Sequence, residues 1–119
     1  TLGVNAPGVI YDATLLQQLG MEAPKESWTW KDFSDMSAKI AAVKGQGFYG
    51  SADISGMTNM FEVFLRQSGV GLFENGKLAA TNDQLKQWFD MWAALRANGG
   101  VTPAEVTAST TNAIETRPI

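Results

Sequence analysis

The sequence contains no cysteine and no histidine among its 119 residues. Without cysteine there is no disulfide framework, no thiol nucleophile and no thiolate metal ligand. Without histidine the commonest general base and the commonest metal ligand are missing as well. Few enzyme mechanisms survive both absences, so the chain reads as a non-enzyme with no metal and no cofactor. Basic residues are scarce and scattered, with nine Lys and Arg against twelve Asp and Glu and a net charge of -3. They never form the clustered basic face that phosphate backbones require, which argues against nucleic acid as a partner. The same scatter argues against a basic amphipathic membrane anchor. No run approaches the ~18 consecutive apolar residues of a membrane span.

What is present is enough to fold. Hydrophobic residues make up 45% of the chain and aromatic residues 10%, too much for disorder and sufficient for a modest core. No repeat and no Pro- or Ser-rich linker divides residues 1–119, so a single domain is expected. The chain opens on Thr1-Leu2-Gly3, without a secretion signal's basic and apolar stretches. A trimmed mature domain and a piece of a longer chain both fit.

Local signals predict a mainly α protein with short β-strands. Thr1–Ile10 reads as extended, with Val4, Val9 and Ile10 suited to a strand. Asp12 can cap a short helix that buries Leu15, Leu16 and Leu19 and stops at Gly20. Thr29 and Asp32 have capping-box spacing, and Phe33, Met36, Ile40 and Val43 follow at helical intervals. Phe48-Tyr49 is a short strand candidate. A third helix lies within Gly56–Ser68, with Met57, Met60, Phe61, Phe64 and Leu65 on one stripe. Asn75-Gly76 marks a tight hairpin. A long helix from about Asp83 to Asn98 follows the Thr81/Gln84 pair, with Leu85, Trp88, Phe89, Trp92 and Leu95 expected inside. Thr102-Pro103-Ala104-Glu105 opens another helix, and a separate short one is expected near Asn112–Thr116. These strands are too few to form a sheet of their own. Missing sequence or a second copy would complete it, so self-association is expected.

Candidate chemistry is sparse. Asp32 and Asp35 share a helix face, as an acid–base pair in sugar hydrolysis could, but a solvated first turn explains them equally. Gly45-Gln46-Gly47 and Gly69-Val70-Gly71 lack the context of a phosphate loop. Trp88 and Trp92 fall in the apolar stripe and read as core. Trp28, on the loop side of its helix, can stack on a sugar or cover the core. Ser51–Asn59 joins a strand candidate to a helix N-terminus. Its Asp53, Ser55, Thr58 and Asn59 beside Met57 and Phe61 suit a pocket for a neutral polyol or sugar. A turn with a helix cap would use the same residues.

The order of these motifs resembles family 1 extracellular solute-binding proteins. The resemblance rests on Val9-Ile10-Tyr11-Asp12, Leu15-Leu16, Leu19-Gly20, Pro24 and Thr29-Trp30-Lys31-Asp32-Phe33. It continues through Tyr49-Gly50, Gln67-Ser68-Gly69 and Leu72-Phe73-Glu74-Asn75-Gly76-Lys77. Asp12 stands where the family usually has Asn, and Thr81-Asn82-Asp83 replaces its usual Asn-Ser-Pro run. The resemblance implies a fragment of the second, C-terminal lobe of a two-lobed α/β binding protein with the type II periplasmic fold. It implies sugar capture between the lobes, delivery to the membrane subunits of an ABC importer, and a periplasmic or membrane-anchored extracellular location. Carried over by position, Asn5 and the segment holding Asp53, Ser55, Met57 and Asn59 would face the cleft. A helical protein–protein interaction domain is the alternative, and a carbohydrate-active enzyme fragment using Asp32 or Asp35 is a third reading.

Overall fold

A computed structural model describes Gly3 and residues 6–115, with side chains through Ser109. Helix α1 (Ala13–Gln18) begins where the Asp12 carboxylate accepts the Leu15 N–H at 2.9 Å. It buries Leu16. Helix α2 (Trp30–Lys44) opens on a complete capping box. The Asp32 carboxylate accepts the Thr29 N–H at 2.8 Å, while the Thr29 hydroxyl accepts the Asp32 N–H at 3.3 Å. Two otherwise orphaned amide donors are thereby satisfied, and the acid sits at the positive end of the helix.

Helix α3 (Thr58–Gln67) leads to a two-stranded antiparallel hairpin, β1 (Phe73–Glu74) and β2 (Lys77–Leu78). Asn75 at φ 51° and Gly76 at φ 75° make the turn, a conformation that favours these two residue types. Helix α4 (Asn82–Ala97) repeats the capping-box device with Thr81 and Gln84. Helix α5 (Ala104–Glu115) closes the described chain.

The core lies where α2 and α3 pack on α4. Phe61, Leu65, Trp88, Trp92, Leu95 and Val101 are buried together. Trp30 meets Trp88 edge-to-face at 5.2 Å, and Trp88 meets Trp92 at 5.3 Å. Such edge-to-face contacts add to what burial itself contributes. Next to this cluster, Ser51 and Val101 form an isolated parallel bridge. The Ser51 N–H donates to the Gly100 carbonyl at 3.0 Å, and the Thr102 N–H donates to the Ser51 carbonyl at 3.1 Å.

Several expectations are corrected. Among the described residues, Gly3 and 6–10 form no strand, and Val9 and Ile10 are exposed. Phe48-Tyr49 is not a strand either, because only Ser51 finds a ladder partner. Val43 faces solvent, while Ser37, Ile40 and Ala41 form the buried face of α2. Glycine is required at position 50, since a Cβ there would stand 2.2 Å from the Ser37 carbonyl oxygen and so meet the backbone of α2. Phe89 is 55% exposed, because the inward face of α4 is filled by Trp88, Trp92 and Leu95. Residues 104–115 form one helix, with no break before Asn112. The Thr102 hydroxyl, expected as a cap, accepts the Asp53 N–H at 3.0 Å.

Candidate functional site

The segment from Asp53 to Asn59 divides into a fixed base and an open tip. At the base, the Ser55 N–H donates to Asp53 Oδ1 at 2.8 Å, an Asx turn that curls the chain toward α3. Arg96 Nη1, on the last turn of α4, donates to Asp53 Oδ2 at 2.5 Å. The same nitrogen lies 3.4 Å from the Ser55 hydroxyl. About two helical turns before Arg96, the Trp88 indole N–H donates to the Ser55 carbonyl at 3.0 Å. The Asp53 side chain is only 8% exposed and that of Arg96 34%. Burial pushes the Asp53 carboxyl up, but the Ser55 amide and hydroxyl and the Arg96 guanidinium together hold it below the usual carboxylate range.

The tip is different. Gly56, Met57, Thr58 and Asn59 are exposed. Met57 occupies the N-cap of α3 without a side-chain hydrogen bond, and its carbonyl accepts the Met60 and Phe61 amides. A shallow groove of about 210 Å³ runs beside it, with Ser55, Met57 and Thr58 on one side and Leu85 and Phe89 on the other. The groove therefore combines two hydroxyls with exposed thioether and aromatic surface, a mixture suited to a small polar solute with an apolar face.

Of the residues expected in the site, the structure brings Ser55 and Met57 to this groove. Asn59 is exposed on the first turn of α3, outside the groove lining. Asp53 lies beneath, with both carboxylate oxygens engaged by Ser55 and Arg96. Asn5 lies outside the described residues. Sequence reading missed Phe89 as groove surface and Arg96 altogether. The available signal was that Trp88, Trp92 and Arg96 follow one another at intervals of four on one helix face, so a cation ends the aromatic stripe.

The Asp32–Asp35 pair does not form an acid–base site. Asp32 is held by the capping box, and the Thr29 hydroxyl and amide lower its carboxyl below the usual range. Asp35 pairs with Lys31 at 2.5 Å. Among the described residues no group of three or more acidic side chains is placed to hold a metal ion. No described helix is long and apolar enough to cross a membrane. Trp28 is half-buried and walls an apolar groove with Trp30, Phe33, Ile54 and Met60.

Residues 2–116 match the family described as bacterial extracellular solute-binding protein, and the chain belongs to that family. The family is non-enzymatic and binds solutes outside the cytoplasm for ABC-type transport. No solved structure matches the chain.

Proposed function

We propose that this chain is part of the second lobe of a two-lobed binding protein that captures a sugar-like solute and passes it to an ABC importer. The Met57–Asn59 tip and the neighbouring groove form part of one wall of the cleft. The observation that carries this reading is the contrast within one short segment. Asp53 and Ser55 are tied down by five hydrogen bonds, while the polar and apolar side chains that follow stand free at the surface. A neutral sugar fits the chemistry because hydroxyls and the Asn59 amide can meet its hydroxyls. The Phe89 ring and Met57 thioether can cover its C–H face. Asn5 is assigned to the same cleft on the family resemblance. The location proposed is periplasmic or extracellular and membrane-anchored.

Calorimetric titration of the intact binding protein with mono- and disaccharides, and with amino acids as a contrast, tests this. A sugar is expected to bind, and Asn59→Ala is expected to weaken it by ~1–3 kcal/mol through loss of a buried hydrogen bond. The 119-residue chain by itself is expected to bind weakly, since half the cleft cannot bury most of a ligand. Binding of amino acids alone overturns the sugar assignment. Unchanged affinity on substitution of Ser55, Met57 and Asn59 removes the groove from the site. If no solute binds and a protein partner does, the interaction-domain reading takes its place.

A further inference from the structure

We infer that Arg96 is a positioning residue for the solute-binding loop, acting through Asp53 and Ser55 rather than on the solute. The inference rests on the solute-cleft reading above. Three facts converge on it. Arg96 and Asp53 are 43 residues apart in sequence, so their contact fixes the loop against α4 and cannot be a local helix pair. The single guanidinium nitrogen reaches both the carboxylate and the Ser55 hydroxyl, so it spans the turn. The other three ties to the base come from neutral donors or acceptors: the Ser55 amide, the Trp88 indole and the Thr102 hydroxyl.

The physical consequence follows from the neighbouring backbone. Ser55 is the last tethered residue before Gly56, and Gly56 supplies no side chain to restrict the turn into α3. The Met57 N–H donates to the Ile54 carbonyl at 3.0 Å, so the approach of Met57, Thr58 and Asn59 to α3 is set by that turn together with the Asp53–Ser55 base it grows from. A carboxylate shared between an amide and a guanidinium makes a stiffer turn than an amide contact alone, because charge-assisted hydrogen bonds are shorter and stronger. Arg96 thus contributes to how well the tip is held before solute arrives. Affinity gained in this way comes from pre-organisation, with no contact to the ligand.

The test uses the intact binding protein with Arg96→Ala, Arg96→Lys and Asp53→Asn, and Leu95→Ala as a control in the adjacent core. Three quantities are read: amide hydrogen exchange at Ser55, thermal unfolding, and affinity for the sugar identified by titration. Arg96→Ala is expected to speed Ser55 exchange and weaken binding by about tenfold each. Arg96→Lys, which keeps the charge, is expected to restore part of both. Asp53→Asn is expected to resemble Arg96→Ala, and it serves if the alanine variant does not fold. Leu95→Ala is expected to lower the melting temperature without selectively accelerating Ser55. If Leu95→Ala and Arg96→Ala give the same pattern, or if Arg96→Ala leaves exchange and affinity unchanged, the positioning role is overturned. Faster Ser55 exchange in a protein that binds no sugar overturns the cleft reading while supporting the clamp.

Discussion

The tryptophan cluster and the Val9–Tyr11 segment are both apolar, and they end in opposite environments. Trp88 and Trp92 are shielded almost completely by α2, α3 and their own helix. Val9, Ile10 and Tyr11 lie exposed along a groove of about 260 Å³ shared with Phe48. Hydrophobicity alone does not separate them. What separates them is how each satisfies its backbone. A helix closes its own hydrogen bonds and needs only a neighbour for one face. An extended segment makes no such bonds within itself, so it can be buried only where a neighbouring strand or side chains take its amides, and otherwise it stays in water. The described residues supply helical neighbours in abundance, but strand pairing only within the β1–β2 hairpin and at one isolated bridge between Ser51 and Val101.

The sharpest way to break this comparison is to empty the closed region. Trp92→Ala is expected to cost ~3–5 kcal/mol, as large-to-small changes in packed cores do. Denaturant unfolding followed by circular dichroism measures it. A variant that melts like the parent would mean that the cluster is not the core of the chain in solution.

A smaller change resolves the cluster itself. The indole N–H groups of Trp30 and Trp92 are buried without an acceptor among the described residues, whereas that of Trp88 donates to the Ser55 carbonyl. Trp88→Phe leaves that carbonyl unpartnered, an added cost of ~1–3 kcal/mol. Trp92→Phe removes only a donor that had no partner. Trp88→Phe is therefore expected to be the more damaging of the two in matched unfolding curves. Equal losses would show that packing volume alone governs both sites.

Acid provides the next test, at the join between core and loop. The folded-state carboxyl of Asp53 is depressed, so its ionised form is favoured by folding. Its contribution is fully present above the unfolded-state carboxylate value and fades as pH falls through the lower folded-state value. Below the ordinary value of 3.8, the parent is expected to lose stability more steeply than Asp53→Asn. Thermal melts from neutral pH downward give the two slopes. Parallel slopes would mean that the Ser55 and Arg96 contacts together do not favour the ionised carboxylate in solution.

The parts of the fold legible in the sequence were those written in local chemistry. The Thr29–Asp32 and Thr81–Gln84 boxes and the Asn75-Gly76 turn each involve residues close enough in the chain to read directly. Faces of helices were harder. Ser37, Ile40 and Ala41 are buried and Val43 is not, because the backbone at Gly50 packs directly on α2 at Ser37 and fixes which face of the helix turns inward. Phe89 follows Trp88 immediately and so points elsewhere on the helix, which an apolar run conceals. At the site, the loop was legible as a polar stretch before a helix. That Asp53 turns inward to Arg96 was not, since it depends on how α4 lies against residues 53–55.

The smallest effect on stability is expected on the open side of the comparison, and there the expected change is in association. Val9→Ser and Ile10→Ser alter side chains that bury little, so folding stability should move by no more than ~0.5 kcal/mol. Yet Val9, Ile10, Tyr11 and Phe48 make a contiguous apolar surface rather than scattered exposure. Such a patch favours contact with another surface. We propose that the 119-residue chain self-associates through it. Light scattering across a dilution series is expected to show oligomers that diminish in the doubly substituted chain, with melting curves unchanged. A parent chain that stays monomeric at high concentration would show that this surface is open without being adhesive. The contrast with the core would then be one of packing alone.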